Sequence, residues 1–216
     1  MKLDYCAESP RKEPFLKRPL DVVLTGVMLI LSLPVVLPIA LLIKLGDGGG
    51  PLFYVQKRWG RNGTRFKAFK FRTMVPDSDD KFGVIPATEK DHRVTRIGLV
   101  LRAMGLDELP QVLNILRGDM SFVGPRSLAV GEPVTNRKGQ TVQYENIAGF
   151  RERLSVRPGL TGVATIYIRK DSPPERKFRY DLLYVRKQSI WLDIHLIALS
   201  FWISFLGRWE TRSRKL

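Results

Sequence analysis

The longest apolar stretch of the chain lies near its N-terminus, where residues Val22 to Ile43 carry no ionisable side chain. It is long enough to cross the hydrocarbon core of a bilayer as a helix. Pro34 and Pro38 lie inside it, and proline removes a backbone donor and bends a helix. A helix from Val22 to Leu33 would reach about half-way into a core ~30 Å thick before a bend at Pro34. The pattern favours a re-entrant hairpin, with an ordinary kinked span as the alternative.

Basic residues flank this stretch on both sides. Positive charge beside a membrane segment tends to stay in the cytoplasm, so we expect both ends of the hairpin on the cytoplasmic face. The carbonyl that loses its helical donor at Pro34 needs another partner, and the hydroxyl of Ser32 is the candidate. The flanking residues are Lys2, Arg11, Lys12, Lys17 and Arg18 on one side, and Lys44, Lys57, Arg58 and Arg61 on the other.

A second apolar stretch runs from Ile190 to Leu206 and is interrupted by Asp193 and His195. Tryptophans are spread along it, and the basic residues Arg208, Arg212, Arg214 and Lys215 follow. Tryptophan and basic residues are typical of a helix that lies in the membrane interface. An ordinary core helix at the end of the chain is the alternative.

Between the two apolar stretches the pattern predicts a small β element. Leu52–Gln56 and Phe66–Phe71 are rich in aromatic and β-branched residues, and Asn62-Gly63 lies between them. This combination is typical of a β-hairpin. Since side chains alternate along a strand, Lys70 and Arg72 should share one face.

The remaining elements are predicted to be helices and loops. Apolar positions at helical spacing predict helices over Asp91–Met104, Leu109–Arg117 and Glu175–Lys187, while Gly124–Thr141 and Arg157–Thr165 read as loops. We therefore expect a mostly helical α+β fold. Residues 1–50 would form a tail and the re-entrant membrane helix, residues 51–188 a cytosolic catalytic domain, and residues 189–216 an interfacial helix with a basic tail.

The charge balance limits the classes of molecule that the protein is expected to bind. The 216 residues include 36 Lys and Arg against 21 Asp and Glu, a formal net charge of +15. Such a surplus indicates a polyanionic partner: nucleic acid, anionic lipid or a phosphorylated substrate. No nucleic-acid-binding module is recognisable, so we expect no nucleic acid partner. One cysteine, Cys6, and two histidines argue against a disulfide and a zinc site, which leaves magnesium as the expected metal.

Asp107 and Glu108 are the candidate catalytic residues. They stand just ahead of the predicted helix that Pro110 begins, and the free N–H groups of a helix N-terminus bind anions. Two adjacent carboxylates could also hold a divalent cation whose other ligands are substrate phosphates. The alternative for such a pair is helix capping. A glycosidase site is disfavoured, because its carboxylates must flank the bond about 5 Å or more apart.

Basic residues near this pair are candidates to bind phosphate. Arg102 ends the preceding helix, and Lys70 and Arg72 lie on the strand. Arg126 and Arg157 each follow or begin a Gly/Pro turn, and the planar fork of arginine suits phosphate. Carboxylates, a metal and surrounding cations are what phosphoryl transfer requires.

Four ordered motifs closely resemble one family along nearly the whole chain from Lys17. They are Lys-Phe-Arg-Thr-Met (70–74), Leu-Asp-Glu-Leu-Pro-Gln (106–111), Gly-Asp-Met-Ser-Phe-Val-Gly-Pro-Arg (118–126) and Arg-Pro-Gly-Leu-Thr-Gly (157–162). With the N-terminal apolar hairpin, they identify the chain as similar to the bacterial sugar transferases, the monotopic polyprenyl-phosphate phosphoglycosyl transferases.

The resemblance implies a polyprenyl-phosphate glycosyl-1-phosphate transferase on the cytoplasmic face of a bacterial inner membrane. Asp107 would be the nucleophile that attacks a UDP-sugar, releases UMP and carries the sugar phosphate until undecaprenyl phosphate accepts it. Glu108 would hold Mg²⁺, while Arg102, Arg126 and a base from the Lys70–Arg72 strand would bind phosphates. Pro34 matches the family's bend. The product would initiate a lipid-linked glycan.

Some features depart from the family pattern. Leu33 stands where a serine commonly precedes the bend proline, Ser127 replaces a usual proline, and Val163-Ala164-Thr165 replaces Trp-Ala-Gln. The loop from Gly131 to Gly149 is longer than is typical. Sugar identity is therefore not carried over, and a homodimer is left open.

Two other functions fit parts of the pattern. A non-catalytic, basic protein that binds the membrane surface would account for the charge and the apolar stretches. A glycosyltransferase that moves sugar without phosphate would release UDP instead of UMP. The product and the effect of Asp107→Asn separate these hypotheses from phosphoglycosyl transfer.

Overall fold

The computed structural model describes residues 13–46, 50–76, 78, 91–169 and 171–209. Several features predicted from the sequence lie outside these ranges. They are the single cysteine, the first basic residues of the N-terminal flank and the basic tail after Trp209.

The N-terminal apolar stretch forms one helix, α1, from Lys17 to Gly46, long and apolar enough to cross a membrane by length and composition. The helix does not end at Leu33, because α1 continues past Pro34, and the re-entrant hairpin stays a prediction. Proline removes only its own donor, so the turns on either side can stay helical. The hydroxyl of Ser32 donates to the carbonyl of Leu29 at 3.0 Å, and not to that of Ile30, which Pro34 leaves without its helical donor.

The start of α1 is built into the globular part of the molecule. The ammonium of Lys17 is buried and donates to Asp193 at 2.6 Å, to Tyr184 at 2.9 Å and to the carbonyl of Val123 at 2.9 Å. One turn later the carboxylate of Asp21 accepts from the backbone N–H of Phe122. A buried charge is stable only when its partners satisfy it, so this cluster fixes the helix start.

The end of α1 also packs on the same globular part, while one face of its middle stays exposed. Ile39 and Ile43 are buried against Phe71 and Leu101. Between the two packed ends, large apolar side chains are exposed: Val27, Ile30, Leu31, Leu33, Val35 and Leu37.

The predicted β-hairpin is confirmed. Strand β1, Phe53–Trp59, pairs antiparallel with β2, Arg65–Phe71. Asn62 and Gly63 both have positive φ in the connecting turn, which is the conformation that Asn-Gly supplies at low cost. The first strand is longer than predicted.

Helix α2, Arg96–Met104, begins five residues later than predicted. The side chain of Thr95 accepts from the N–H of Gly98 and caps the helix, and Val94 pairs instead with Met74. A 3₁₀ turn, Leu106–Gln111, and a short helix α3, Val112–Arg117, then take the place of one predicted helix.

Short regular elements lie in and beside the two predicted loops, Gly124–Thr141 and Arg157–Thr165. Strand β3, Ser121–Val123, pairs parallel with β6, Gly159–Thr161, and β4, Pro133–Thr135, pairs antiparallel with β5, Thr141–Gln143. Helix α4, Phe150–Arg153, precedes β6, and α5, Val163–Tyr167, follows it. Three-residue strands are too short to show a period of two, which is why the pattern missed them.

The last two helices are confirmed as α6, Pro174–Lys187, and α7, Ile190–Phe205. The inner face of α7 buries Leu196 and Ile203 in the main core, together with Ile115, Met120 and Tyr184. Its outer face exposes large apolar side chains: Trp191, Ile194, Phe201, Trp202 and Phe205. The helix is therefore both a core element and an apolar surface, which combines the two alternatives stated for it.

Candidate functional site

Asp107 and Glu108 lie in the first turn of the Leu106–Gln111 segment. Gly105, with φ of 70°, ends α2 in the left-handed conformation and redirects the chain into this segment. Leu106 and Leu109 pack against a core that contains Ile43 and Phe71. One side of the turn is thus anchored in apolar packing, and its two carboxylates are partly buried beside a cleft.

Glu108 is held by two cations. Its Oε1 accepts from Nζ of Lys70 at 2.6 Å and from Nη2 of Arg126 at 2.7 Å. Burial raises the pKa of Glu108, but the charges of Arg126 and Lys70 outweigh it and hold that pKa far below its ordinary value. Glu108 is therefore a fixed carboxylate and not a helix cap, which was the alternative hypothesis.

Asp107 differs from its neighbour. Within the described ranges, no hydrogen bond or ion pair ends on its carboxylate. Burial raises the pKa of Asp107; the positive charge of Lys70 opposes this and the negative charge of Glu108 adds to it. An oxygen without a partner, beside cations bound to the next residue, is free to approach an electrophile.

Arg126 reaches Glu108 because three glycines let two backbone segments come together. A Cβ on Gly124 would lie 2.4 Å from the carbonyl oxygen of Arg157, and one on Gly159 would lie 2.1 Å from the backbone nitrogen of Gly124. A Cβ on Gly162 would meet the carbonyl oxygen of Gly124 at 2.2 Å. Arg126 itself stays 43% exposed on its side chain, so its guanidinium has room for a further anion.

The other predicted phosphate-binding residues divide into two groups. Arg102 donates to Thr73 at 2.9 Å and lines the cleft, and its charge opposes the rise that burial causes in the pKa of Asp107. Arg72 is buried, lines the cleft and donates to the carbonyl of Ile43, so it also ties the end of α1 to the site.

Arg157 is not brought to this site. Its guanidinium forms an ion pair with Glu13 and donates to the carbonyl of Gly118, outside the residues that line the cleft. The turn that carries it packs against Gly124, as described above, which directs the side chain away from Asp107.

The cleft also contains polar residues that were not predicted as part of the site, among them Arg58, Glu132, Tyr144 and Arg153. Arg58 lies on β1 and its Nη1 donates to the carbonyl and hydroxyl of Ser127. Arg153 forms a buried ion pair with Asp181 and also donates to the carbonyl of Arg126. The alternation along β1 could have suggested Arg58, but Arg153 and Asp181 are 28 positions apart in the sequence and gave no local signal.

The cleft has a volume of about 1280 Å³ and two kinds of wall. The wall around Asp107 is charged. The other is apolar and includes Met28 of α1 with Ile197 and Phe201 of α7. A charged centre and the exposed apolar helices therefore border one continuous space.

The residues present fit a divalent cation only if a substrate supplies more ligands. Among the described residues, no group of three or more His, Cys, Asp and Glu side chains is close enough to hold a metal. Asp107 and Oε2 of Glu108 are the available carboxylate oxygens. Magnesium binds in this way where phosphates complete its coordination.

The chain matches the family model described as bacterial sugar transferase over residues 12–207. It is 41% identical over 187 residues to the exopolysaccharide production protein PSS of Rhizobium leguminosarum bv. phaseoli, which covers 84% of this chain and 91% of that protein. It is also 41% identical over 199 residues to a UDP-glucose:undecaprenyl-phosphate glucose-1-phosphate transferase of Klebsiella pneumoniae.

The second of these matches covers 89% of this chain but 40% of the Klebsiella protein. A UDP-N-acetylgalactosamine-undecaprenyl-phosphate N-acetylgalactosaminephosphotransferase of Aeromonas hydrophila is 34% identical over 187 residues, with 42% of its length covered. The chain thus spans less than half the length of the Klebsiella and Aeromonas relatives, and nearly the whole length of the Rhizobium relative. Since the family model and the Rhizobium relative both extend over most of the chain, it belongs to the bacterial sugar transferase family.

Proposed function

We propose that the chain is a phosphoglycosyl transferase that moves a sugar 1-phosphate from a UDP-sugar to undecaprenyl phosphate and releases UMP. The observation that carries the proposal is the unpaired carboxylate of Asp107 beside Glu108, whose Oε1 is fixed by Lys70 and Arg126. The names of the Klebsiella and Aeromonas relatives supply the donor and acceptor classes.

In the first half-reaction, an oxygen of Asp107 attacks the sugar-bearing phosphorus of the UDP-sugar. The new P–O bond forms as the bond to the bridging oxygen breaks, and UMP leaves with that electron pair. Arg126 and Lys70 stabilise the charge that develops on the phosphoryl oxygens, and such fixed cations contribute most in a site shielded from water. Arg102 is close enough to Asp107 to bind the same phosphate.

In the second half-reaction, a phosphate oxygen of undecaprenyl phosphate attacks the same phosphorus. The acyl-phosphate bond to Asp107 breaks, and the carboxylate is restored as undecaprenyl-diphospho-sugar forms. The apolar wall at Met28 and Phe201 provides a path by which a lipid tail reaches the cleft without crossing water.

Mg²⁺ is proposed as the cofactor, with Glu108 as its protein ligand. When bound, the ion would neutralise phosphate charge and assist the departure of UMP. Asp107 and Glu108 present adjacent oxygens of the type that magnesium prefers.

The membrane arrangement is proposed from α1. A straight helix of 30 residues would be about 45 Å long, enough to cross the whole bilayer. Both of its ends instead pack on one globular part, and its exposed apolar residues lie between them. A hairpin bent near Pro34, with both ends on the cytoplasmic face, satisfies this packing. The exposed apolar face of α7 would lie in the same interface.

The activity is tested with a panel of UDP-sugars, undecaprenyl phosphate and Mg²⁺, with the nucleotide product identified. UMP is expected as the product, and Asp107→Asn should abolish its release. With UDP-sugar alone, the wild-type chain should gain one sugar-phosphate mass on Asp107. Asp119→Asn is a matched control, because Asp119 does not line the cleft. Release of UDP, or full activity of Asp107→Asn, would contradict the mechanism.

The topology is tested separately with single cysteines placed just before and just after α1. Both should react with a membrane-impermeant reagent only from the cytoplasmic side. Labelling from opposite sides would mean that α1 spans the bilayer.

A further inference from the structure

One wall of the cleft is formed by a hairpin that plays no part in the chemistry described above. Strands β4 and β5 pair Val134 with Val142, and both side chains pack against a core that includes Phe150 and Phe178. The segment before β4 and the segment after β5 face the cleft, where they place Glu132 and Tyr144. The hairpin is therefore anchored by apolar packing and also lines the cleft.

Glu132 is a partly buried carboxylate without a partner. Within the described part of the chain, it forms no hydrogen bond or ion pair. Burial raises the pKa of Glu132, and the charges of Arg58 and Arg126 oppose the shift, so both arginines lie near it. Arg58 is already engaged by Gln56 and Ser127. Its oxygens are therefore available to accept hydrogen bonds from a ligand that enters the cleft.

Tyr144 presents a hydroxyl in the same region. Its ring stacks on Phe178 with 6.1 Å between centroids and 14° between planes, which fixes its direction. No described residue hydrogen-bonds to this hydroxyl. Glu132 and Tyr144 directly flank the paired residues Pro133 and Gln143, so the two groups are neighbours at one end of the hairpin. Burial raises the pKa of Tyr144 to about 12, and the negative charge of Glu132 adds to the shift, so the hydroxyl stays protonated.

The chemistry of this pair restricts its ligand. A carboxylate repels phosphate, so Glu132 does not extend the phosphate-binding cluster of Lys70 and Arg126. No metal-binding group of three acidic, His or Cys side chains occurs among the described residues. What remains is a neutral donor: a carboxylate only accepts, while a tyrosine hydroxyl donates and accepts. Neighbouring hydroxyl groups of a sugar meet both requirements.

We propose that Glu132 and Tyr144 form a specificity-determining subsite for a vicinal diol of the nucleotide sugar. The inference rests on the proposed function, since a UDP-sugar bound by its diphosphate at Arg126 extends sugar on one side and ribose on the other. Both carry such diols.

The test measures KM for a UDP-hexose and the inhibition constant of UMP, using the full chain in detergent micelles. Glu132→Gln and Tyr144→Phe are compared with Glu145→Gln and Tyr167→Phe, whose side chains are exposed or outside the cleft. Loss of a hydrogen bond to a charged group should raise the constants about tenfold for Glu132→Gln, with a smaller rise for Tyr144→Phe. The control variants should match wild type.

The two constants distinguish the sources of the diol. A higher KM with an unchanged UMP inhibition constant supports the hexose, whereas an equal rise in both supports the ribose. Wild-type constants in both variants would overturn the subsite while leaving the proposed function intact. A wild-type chain that neither binds nor converts any UDP-sugar would overturn both. If Glu132→Gln does not fold, Tyr144→Phe still tests the subsite, because the phenylalanine ring can keep the stacking contact with Phe178.

Discussion

Arg153 and Asp181 form a buried ion pair at the wall of the cleft. Removing this ion pair should destabilise the fold in a pH-dependent way. The two side chains are 2% and 3% exposed, with Nε and Oδ2 2.7 Å apart. Arg153→Met leaves Asp181 buried without its cation, which typically costs about 3–5 kcal/mol. The variant also loses the bond to the carbonyl of Arg126 and the contact of the guanidinium with Phe178, 4.9 Å from the ring centroid.

The pH dependence follows from the titration of Asp181. Burial already raises the pKa of Asp181 in the folded protein, and without Arg153 nothing equivalent opposes it. A raised folded-state pKa means that stability is greatest below the unfolded pKa of about 3.9 and falls as the pH rises above it. Keeping the carboxyl protonated costs about 1 kcal/mol at pH 4.5 and about 5 kcal/mol at pH 7.5. The charge-related loss should therefore be several-fold smaller at the lower pH.

The assay is denaturant unfolding in detergent, followed by tryptophan fluorescence, at both pH values and relative to wild type at the same pH. Arg151→Met is the matched control, since Arg151 is exposed on the same short helix. The double variant Arg153→Met/Asp181→Asn should lose the pH dependence, because it has no charge left to bury. An equal loss of stability at both pH values, or a loss no larger than that of the control, would refute the reasoning.

Three further predictions concern separate parts of the molecule. Lys70→Met should lower kcat for UMP release about 100-fold or more, because it removes one fixed cation from the transition state, while thermal stability changes little. Gly159→Ala should destabilise the fold by about 1–3 kcal/mol or more through contact with the backbone of Gly124, whereas Gly26→Ala, with open space around it, should not. Thr95→Ala should cost about 0.5–2 kcal/mol in unfolding experiments by removing the N-cap of α2, and an unchanged free energy of unfolding would contradict that role.

Local signals in the sequence predicted most of the secondary structure. Asn62-Gly63 located the hairpin, since the turn needs positive φ at both residues. Helical spacing located α6 and α7 within a residue or so. The start of α2 was placed too early because the apolar spacing continues through Val94, although Thr95 provides the cap.

The candidate site was predicted in part. Asp107, Glu108, Lys70 and Arg126 come together, as expected from the motifs that contain them, although the contacts of Glu108 with Lys70 and Arg126 span 38 and 18 residues. Arg157 resembled Arg126 in its turn, but only the packing of the two turns against each other decides where each guanidinium goes. The partners of Arg153 depend on contacts between distant segments, which no local pattern contains.

The cluster around Lys17 has a consequence for any attempt to obtain this protein free of lipid. Removing α1 would leave Asp193 and the hydroxyl of Tyr184 buried with their cation gone, and would uncover Phe71 and Leu101 at the other end. The apolar helix is thus not a detachable tether that a protease or a shortened gene could cut away. Severing it would dismantle the fold, so solubilisation must replace the lipid around α1 and keep the helix itself.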